Sequence, residues 1–162
     1  MILHLSPVWT LVIDFTAWLA IHVGVSVRLY YLRPELFNPE SWLYRARLWE
    51  SNGRLYQTIF KVKTWKKFLP DGAAVAKNGF RKNHLGSRQA GYLHRFISET
   101  RRAELTHWII GVSWPVFFIW NDWWITLIML AYAIIVNIPC IISQRYNRIR
   151  LKSALCQITE RK

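Results

Sequence analysis

Polar side chains at the edge of an apolar run are the first candidates for chemistry in this sequence. Glu104 and His107, in the run RAELTHW, stand three residues apart, so a helix places them on one face. A carboxylate beside an imidazole holds its tautomer and raises its basicity, which suits a general base near neutral pH. The alternative is an interfacial Glu-His pair that only satisfies its own hydrogen bonds. The residues alone leave both interpretations open.

A second polar cluster ends the apolar run in VNIPCIISQRYNRIRLK. Asn137 lies about two turns inside that run, too deep for a surface anchor, and polar residues at such a depth are functional candidates. In a helical hairpin we expect part of this cluster to face Glu104 and His107, namely Asn137, Gln144, Arg145, Tyr146 and Asn147. Anchoring at the lipid surface explains the arginines equally well. The predicted substrate-binding residues are Asn137, Gln144, Arg145, Tyr146, Asn147, Arg148 and Arg150, with Arg101 and Arg102.

The elements that position these residues follow from the separation of apolar and basic stretches. The net charge is +13, although 52% of the 162 residues are hydrophobic. Apolar blocks cover about residues 7–27, 105–120 and 123–143, and the tight polar turn Asn121-Asp122 separates the last two. Lengths near twenty residues suit a bilayer crossing. We therefore predict an all-α membrane protein with about three transmembrane helices, an N-terminal span and a C-terminal hairpin.

The basic residues predict the orientation. All 22 Lys and Arg residues follow the first or the third apolar block, so both basic segments are expected to be cytoplasmic and the protein a multi-pass protein of the cell membrane. A cleaved signal peptide is the alternative for the first block, but it lacks a basic leader and Asp14 interrupts it. The predicted domains are an N-terminal span (1–27), a basic aromatic module (28–104), a transmembrane hairpin (105–143) and a basic tail (144–162).

The basic module is expected to be amphipathic, helical and interfacial. Asn38-Pro39-Glu40 is a good helix start and Asn52-Gly53 a good stop, with Trp42 and Trp49 on one face. A second helical segment begins near Arg54 and closes at Pro70-Asp71-Gly72. After a loop at 73–89, a third helix is expected to bury an apolar face and run through Arg101 and Arg102 into the second span. That apolar face contains Tyr92, Leu93, Phe96 and Ile97.

Several classes of function lack their sequence signals. No phosphate-binding glycine loop, GxSxG, HExxH or cysteine-based metal spacing is present, so no metal and no cofactor is predicted. Nucleic-acid binding is disfavoured because membrane orientation already accounts for the basic residues. Asp14 in the first span is interpreted as a structural hydrogen-bond acceptor, since an unpaired carboxylate in lipid would be neutralised.

Four stretches together resemble a known family. RAELTHW, NIPCIISQRYNRIRL, VKTWKKFLPDG and the NHL at 83–85 are similar to the glycosyl-4,4'-diaponeurosporenoate acyltransferases of staphyloxanthin-type carotenoid synthesis. The resemblance covers about residues 60–151. It implies a membrane acyltransferase that esterifies a fatty acyl group onto the glucose hydroxyl of a glycosylated carotenoid acid. It also adds Asp71 and His84, within the matching stretches, as further candidate site residues.

The hypothesis for catalysis combines this resemblance with the polar clusters. His107, oriented by Glu104, removes the proton of the sugar hydroxyl, and Asn137, Gln144 or Tyr146 donates a hydrogen bond to the developing oxyanion. The arginines bind the phosphates of an acyl donor such as acyl-CoA. The HxxxxD box of better-known lipid acyltransferases is missing, because Val112 stands where its aspartate belongs.

Two other functions remain open from the sequence. A small non-enzymatic membrane adaptor would bind anionic lipid or a partner protein through the basic module. That alternative explains the charge and the tryptophans but neither Asn137 nor the Glu-His pair. A second alternative keeps catalysis at the lipid interface but transfers a methyl or prenyl group.

Overall fold

A computed structural model describes residues 6–38, 41–69 and 89–160, and all regular structure in these ranges is helical. Two of the α-helices are very short, and the longest holds much of the C-terminal third of the chain. Short 3₁₀ helices lie at Pro34–Leu36, Leu48–Gly53, Lys66–Phe68 and Trp114–Ile119. The α-helices are α1 (Pro7–Tyr30), α2 (Arg54–Thr58), α3 (Val62–Trp65), α4 (Ala90–Val112) and α5 (Trp123–Thr159).

The chain divides into two compact units, each built from two separate stretches. The membrane unit contains Met1–Leu32 and Leu105–Pro139, and the basic unit contains Arg33–Glu104 and Cys140–Lys162. Both α4 and α5 contribute one half to each unit. The sequence therefore builds each unit from residues that are far apart in the chain.

Two helices are long and apolar enough to cross a membrane. They are Pro7–Tyr30 and Trp123–Thr159, whose 18-residue apolar stretches have mean hydropathies of 1.6 and 2.5. α1 begins with proline, whose fixed φ suits the first helical turn and whose missing N–H costs nothing there. Large apolar side chains such as Phe15 and Ile135 are more than two-thirds exposed, as expected for a surface that faces lipid. The protein is therefore membrane-associated.

The predicted span at 105–120 is not among these crossing helices. α4 starts at Ala90, and its first half carries too many charged residues for a spanning helix. Pro115 then follows the end of α4, and the chain continues as the 3₁₀ helix Trp114–Ile119. A third transmembrane helix is thus not shown, although α4 does run from the basic module through Arg101 and Arg102 as predicted.

The membrane unit has an apolar core with one buried carboxylate. Trp18 of α1 stacks on Phe117 at a ring distance of 4.7 Å, and Ile110 and Ala133 complete the core. Asp14 is 5% exposed and accepts hydrogen bonds from Trp120 Nε1 and Asn121 Nδ2, both at 2.7 Å. The interpretation of Asp14 as a structural acceptor is confirmed.

The basic unit has two apolar clusters, both of which use the second half of α5. One joins Tyr56 and Val62 to Tyr146 and Ile149. The other joins the predicted apolar face of α4 to Leu151, which confirms that face. The α4 side of this cluster contains Leu93, Phe96 and Ile97, with Tyr92 packed against them.

The amphipathic helix predicted between Asn38 and Asn52 is wrong for the described residues. The chain forms a turn at 41–44, passes through extended backbone, and enters the 3₁₀ helix Leu48–Gly53. Trp42 and Trp49 are 77% and 58% exposed. The physical reason is tertiary, because the carbonyls of Leu43 and Arg45 accept hydrogen bonds from Arg145 and not from the next helical turn. Pro39 and Glu40 of the predicted start lie outside the described residues.

The predicted second helical segment is interrupted as well. Lys61 has a φ of 47° and separates α2 from α3, while Trp65 Nε1 donates to the Phe60 carbonyl at 2.6 Å. Before α2, Ser51, Asn52 and Gly53 all have positive φ values, which only glycine adopts without strain. A Cβ on Gly53 would lie 3.5 Å from the Tyr146 ring, so the space tolerates a methyl group but the backbone does not.

Replacing Gly53 with alanine tests this turn. With φ at +86°, Gly53→Ala should lower the free energy of unfolding by about 1–2 kcal/mol, the cost of a left-handed L-residue. Gly24→Ala is the matched control, since nothing lies within 4 Å of its Cβ and its backbone is helical. Denaturant titration in detergent micelles measures both, and equal stability of the two variants would contradict the assignment.

Candidate active site

His107 and Asn137 meet within the membrane unit. His107 Nδ1 lies 3.0 Å from Asn137 Oδ1, and Asn137 Nδ2 donates to the Ala133 carbonyl at 2.9 Å. A carbonyl oxygen can only accept, so the Ala133 contact fixes which end of the amide faces the imidazole. Asn137 Oδ1 then accepts from His107 Nδ1–H. A neutral imidazole that donates through Nδ1 carries its lone pair on Nε2, which is the arrangement of a general base.

Glu104 is the centre of a second cluster, which lies in the basic unit. Its side chain is fully buried, and its two oxygens accept hydrogen bonds from different arginines. Arg145 Nη1 lies 3.0 Å from Glu104 Oε1, while Arg148 Nη1 donates to Oε2. A buried carboxylate needs such pairing because desolvation disfavours its charge. The structure thus brings Glu104 together with Arg145, which the hairpin prediction placed opposite it, and also with Arg148.

Arg145 extends this cluster to the segment before α2. Its Nε donates to Glu50 Oε1 at 2.9 Å and lies 3.2 Å from the Tyr56 hydroxyl. Its Nη1 also donates to the Leu43 carbonyl at 2.7 Å. Glu50 is 1% exposed and accepts a further hydrogen bond from Tyr56. One guanidinium therefore compensates two buried carboxylates and caps irregular backbone.

The environment shifts the pKa values of Glu50 and Tyr56 in opposite directions. Burial opposes ionisation of Glu50, but hydrogen bonds from Arg145, Tyr56 and the Arg47 backbone outweigh it and lower the pKa of that carboxyl below its usual range. Burial and the bond to Glu50 raise the pKa of Tyr56 to about 12. At neutral pH the glutamate is ionised and the tyrosine protonated, so Tyr56 is the donor in their hydrogen bond.

The other residues predicted on α5 have varied surroundings. Gln144 has a buried Oε1 with no hydrogen-bond partner among the described residues. Tyr146 is 4% exposed and packs on Gly53 and Val62. Asn147 Oδ1 accepts from Lys66 Nζ at 2.8 Å, and Arg150 is exposed. Their roles in substrate binding stay predictions.

Arg101 and Arg102 lie on α4 against Phe37. Arg101 Nη1 donates to the Phe37 carbonyl at 3.3 Å, and the Arg102 guanidinium lies 5.6 Å from the Phe37 ring while pairing with Glu99. Like Arg145 and Arg148, they have protein partners, which supports a structural role. The candidates Asp71 and His84 lie outside the described residues.

Three further residues with notable surroundings are not singled out by the sequence patterns. Glu50 and Tyr56 belong to the Arg145 cluster. The only sequence signal for Glu50 is that it is an acidic residue in a strongly basic segment. Trp108, next to His107, has a buried indole Nε1 without an acceptor among the described residues. Nothing in its spacing distinguished it from the other tryptophans.

The role predicted for Glu104 as the residue that orients His107 also stays a prediction. The contacts described above engage both of its oxygens with arginines and engage His107 Nδ1 with Asn137. Within the described residues no group of three or more His, Cys, Asp or Glu side chains is arranged to hold a metal ion.

Comparison with known proteins defines the class. A family model described as glycosyl-4,4'-diaponeurosporenoate acyltransferase matches residues 39–157. The protein of that name from Staphylococcus haemolyticus (strain JCSC1435) is 32% identical over 135 residues, which cover 83% of this chain and 78% of the relative. The one from Staphylococcus aureus (strain Newman) is 30% identical over 145 residues, covering 90% and 87%. No solved structure matches the chain.

The helical, membrane-associated chain is therefore an acyltransferase. It belongs to the glycosyl-4,4'-diaponeurosporenoate acyltransferase family, as the resemblance indicated. This membership decides against the non-enzymatic adaptor and against methyl or prenyl transfer.

Removing the charge of Glu104 tests the buried cluster. Glu104→Gln leaves two guanidiniums without their shared carboxylate, so the free energy of unfolding should fall by about 3–5 kcal/mol. Glu99→Gln is the matched control on the same helix, because its pair with Arg102 at i,i+3 is worth about 1 kcal/mol or less. Denaturant titrations in detergent micelles compare the stability of the two variants. A Glu104 variant as stable as the Glu99 variant would refute the stabilising role of the buried ion pairs.

The shifted pKa values predict how stability depends on pH. The lowered pKa of Glu50 makes its contribution complete at neutral pH and lost as the pH falls through the folded-state pKa. The raised pKa of Tyr56 makes its contribution complete below pH 10 and lost as the pH rises toward about 12. Tyr56→Phe should flatten the alkaline arm of a stability-versus-pH curve, and an unchanged alkaline arm would contradict the Tyr56 assignment.

Proposed function

We propose that this protein esterifies a fatty acyl group onto the glucose hydroxyl of a glycosylated carotenoid acid. The names of its relatives support this acceptor, since they are called glycosyl-4,4'-diaponeurosporenoate acyltransferases. The reaction is the acylation step of a staphyloxanthin-like synthesis. An acyl thioester such as acyl-CoA is the proposed donor. Acceptor, acyl chain and ester product are all lipid-like, which suits a membrane-associated enzyme.

The contact between His107 and Asn137 carries the proposed mechanism. With Nδ1–H held by the Asn137 oxygen, Nε2 takes the proton of the sugar hydroxyl. The hydroxyl oxygen then attacks the acyl carbonyl carbon, a C–O bond forms, and the C–S bond of the thioester breaks. The imidazolium returns its proton to the departing thiolate. Every atom and proton is accounted for, and no redox step is needed.

Asn137 is the proposed positioning residue for the base. Its amide is 1% exposed and anchored to the Ala133 carbonyl one turn earlier, so it presents a fixed oxygen to the imidazole. A neutral amide oxygen orients the ring but does not hold its proton as strongly as a carboxylate. Glu104, the earlier candidate for this role, is proposed to act through the arginine cluster instead.

We further propose a multi-pass topology with both basic segments in the cytoplasm. α1 and α5 run in the same direction within the membrane unit, because Asp14 meets Asn121 before α5 begins and Trp18 contacts Met129 further on. Two parallel crossings need a return between them. Residues 105–112 rise about 1.5 Å each as α-helix, and residues 113–120 rise about 2.0 Å each as 3₁₀ helix. Together they give a length of about 28 Å, which is close to the thickness of the hydrocarbon core of a bilayer.

The experiment is expression in a host that makes the carotenoid glucoside, with mass spectrometry of the pigment. His107→Ala should lower formation of the acylated product by at least about 10²-fold, the contribution typical of a general base. His94→Ala is the matched control, an exposed histidine on the same helix, and should leave the yield unchanged. Both variants should insert in the membrane at wild-type levels.

Asn137→Leu separates positioning from folding. It removes the acceptor of His107 Nδ1–H, so kcat should fall while KM for the donor changes little. Normal turnover by His107→Ala would remove His107 from the mechanism. Acylated pigment absent from the wild-type culture would refute the proposed acceptor.

A further inference from the structure

The basic unit sorts its cations into two groups. Arg145 and Arg148 are paired with buried carboxylates, and Arg102 is paired with Glu99. In the described part of the chain, by contrast, no carboxylate pairs with Lys63, Lys66 or Arg150. None of the three has an acidic neighbour along the chain, because residues 54–69 contain no Asp or Glu and neither do residues 123–159. Arg145 and Arg148 lie in the same acid-free stretch as Arg150, but their carboxylates, Glu50 and Glu104, come from other segments.

One of the three unpaired cations, Lys66, contacts Asn147, and the other two stand one turn away from these residues along their own segments. Lys66 Nζ donates to Asn147 Oδ1 at 2.8 Å and lies 5.3 Å from the centre of the Tyr146 ring. Lys63 stands one turn before Lys66, and Arg150 stands one turn after Asn147 on α5. These spacings direct the side chains of each element to the same side. Lys66 is partly buried, while Lys63 and Arg150 are exposed.

The electrostatic interaction of Lys66 with Lys63 and Arg150 is consistent with this placement of the three side chains. Burial, and then the charges of Lys63 and Arg150, lower the pKa of Lys66 below its usual range. Like charges held close together raise the local positive potential, and a bound anion relieves it. The Lys66 ammonium has three N–H donors, of which the Asn147 contact uses one. The exposed pair leaves solvent access to the site.

We propose that Lys63, Lys66 and Arg150 form a phosphate-binding site, to be called the basic triad. Its ligand is a phosphate ester, either the phosphates of the soluble acyl donor or the headgroup of an anionic phospholipid. The identification of the ligand as the acyl donor rests on the proposed function. The recognition of a phosphate by the triad does not depend on that function. The triad takes over the donor-binding role expected of Arg145 and Arg148, whose charges are compensated within the protein.

The test is equilibrium binding without turnover. The full chain is placed in phosphatidylcholine nanodiscs and titrated with coenzyme A by calorimetry. Lys66→Gln keeps a hydrogen-bond donor for Asn147 but removes the charge, and should weaken binding about tenfold or more. Lys63→Gln with Arg150→Gln changes only exposed residues, and should weaken binding about tenfold without affecting folding.

Lys67→Gln is the matched control. Lys67 has the same charge and the same segment, but it is exposed and its Nζ lies 5.0 Å from the Phe68 ring. The affinity of the Lys67→Gln variant for coenzyme A should stay within about twofold of wild type, since a solvated charge contributes little to binding. His107→Ala should bind coenzyme A normally. A loss of acyl transfer with normal coenzyme A binding is therefore distinguishable from a loss of coenzyme A binding at the triad.

A second measurement identifies the source of the phosphate. Native mass spectrometry of the protein extracted from phosphatidylglycerol-containing membranes counts retained lipid. Loss of coenzyme A binding in the triad variants, with the control unchanged, supports a donor site. Loss of retained phosphatidylglycerol alone supports a headgroup site. If both ligands bind the triad variants as they bind Lys67→Gln, the proposal is overturned.

Discussion

The buried carboxylate of Glu104 is the constraint on which the basic unit depends. An ionised group with no exposed surface is stable only when its desolvation is offset by opposite charge, and Arg145 and Arg148 provide that charge. Both arginines lie on α5 and Glu104 lies on α4, so the ion pairs hold these two helix halves at a fixed register. Arg145 then reaches Glu50, which fixes the segment before α2 against the same helix. One side chain thereby connects three parts of the chain.

Two buried polar side chains of the membrane unit, Asp14 and Asn137, have hydrogen-bond partners other than arginine or lysine. Asp14 accepts from Trp120 and Asn121, and Asn137 uses its amide to join the Ala133 carbonyl to His107. Amides and indoles suit an apolar environment because they saturate hydrogen bonds without carrying charge. The same chemistry that makes Asn137 acceptable in an apolar helix also sets the tautomer of His107. The hydrogen bond that satisfies the buried Asn137 amide oxygen is therefore the same bond that the proposed catalysis uses.

Charge compensation also gives the many basic residues separate roles. A net charge of +13 suggests one broad cationic surface, but the structure divides it. Arginines that face carboxylates stabilise the fold, and their planar guanidiniums bridge several acceptors at once, as Arg145 does. Lysines in a segment without acidic residues remain uncompensated and retain an attraction for anions. Stabilisation of the fold and the proposed binding of a phosphate therefore use different side chains.

The helical class, α1, the turn at Asn121-Asp122 and the course of α4 through Arg101 and Arg102 were predictable, because hydropathy and period act within one segment. A simple hairpin also indicated that Glu104 and His107 face the polar end of the apolar run, but it did not indicate which of these residues pair. Three features required the tertiary structure: the broken helices between Ser41 and Leu69, the use of Glu104 by arginines, and the pairing of His107 with Asn137. Each depends on a partner far away in the chain, and a hydrogen bond from a distant guanidinium to a backbone carbonyl outweighs local helix propensity. The sequence by itself determined which segments are apolar and which are basic, whereas only the fold decided which charges cancel, because cancellation depends on distance in space.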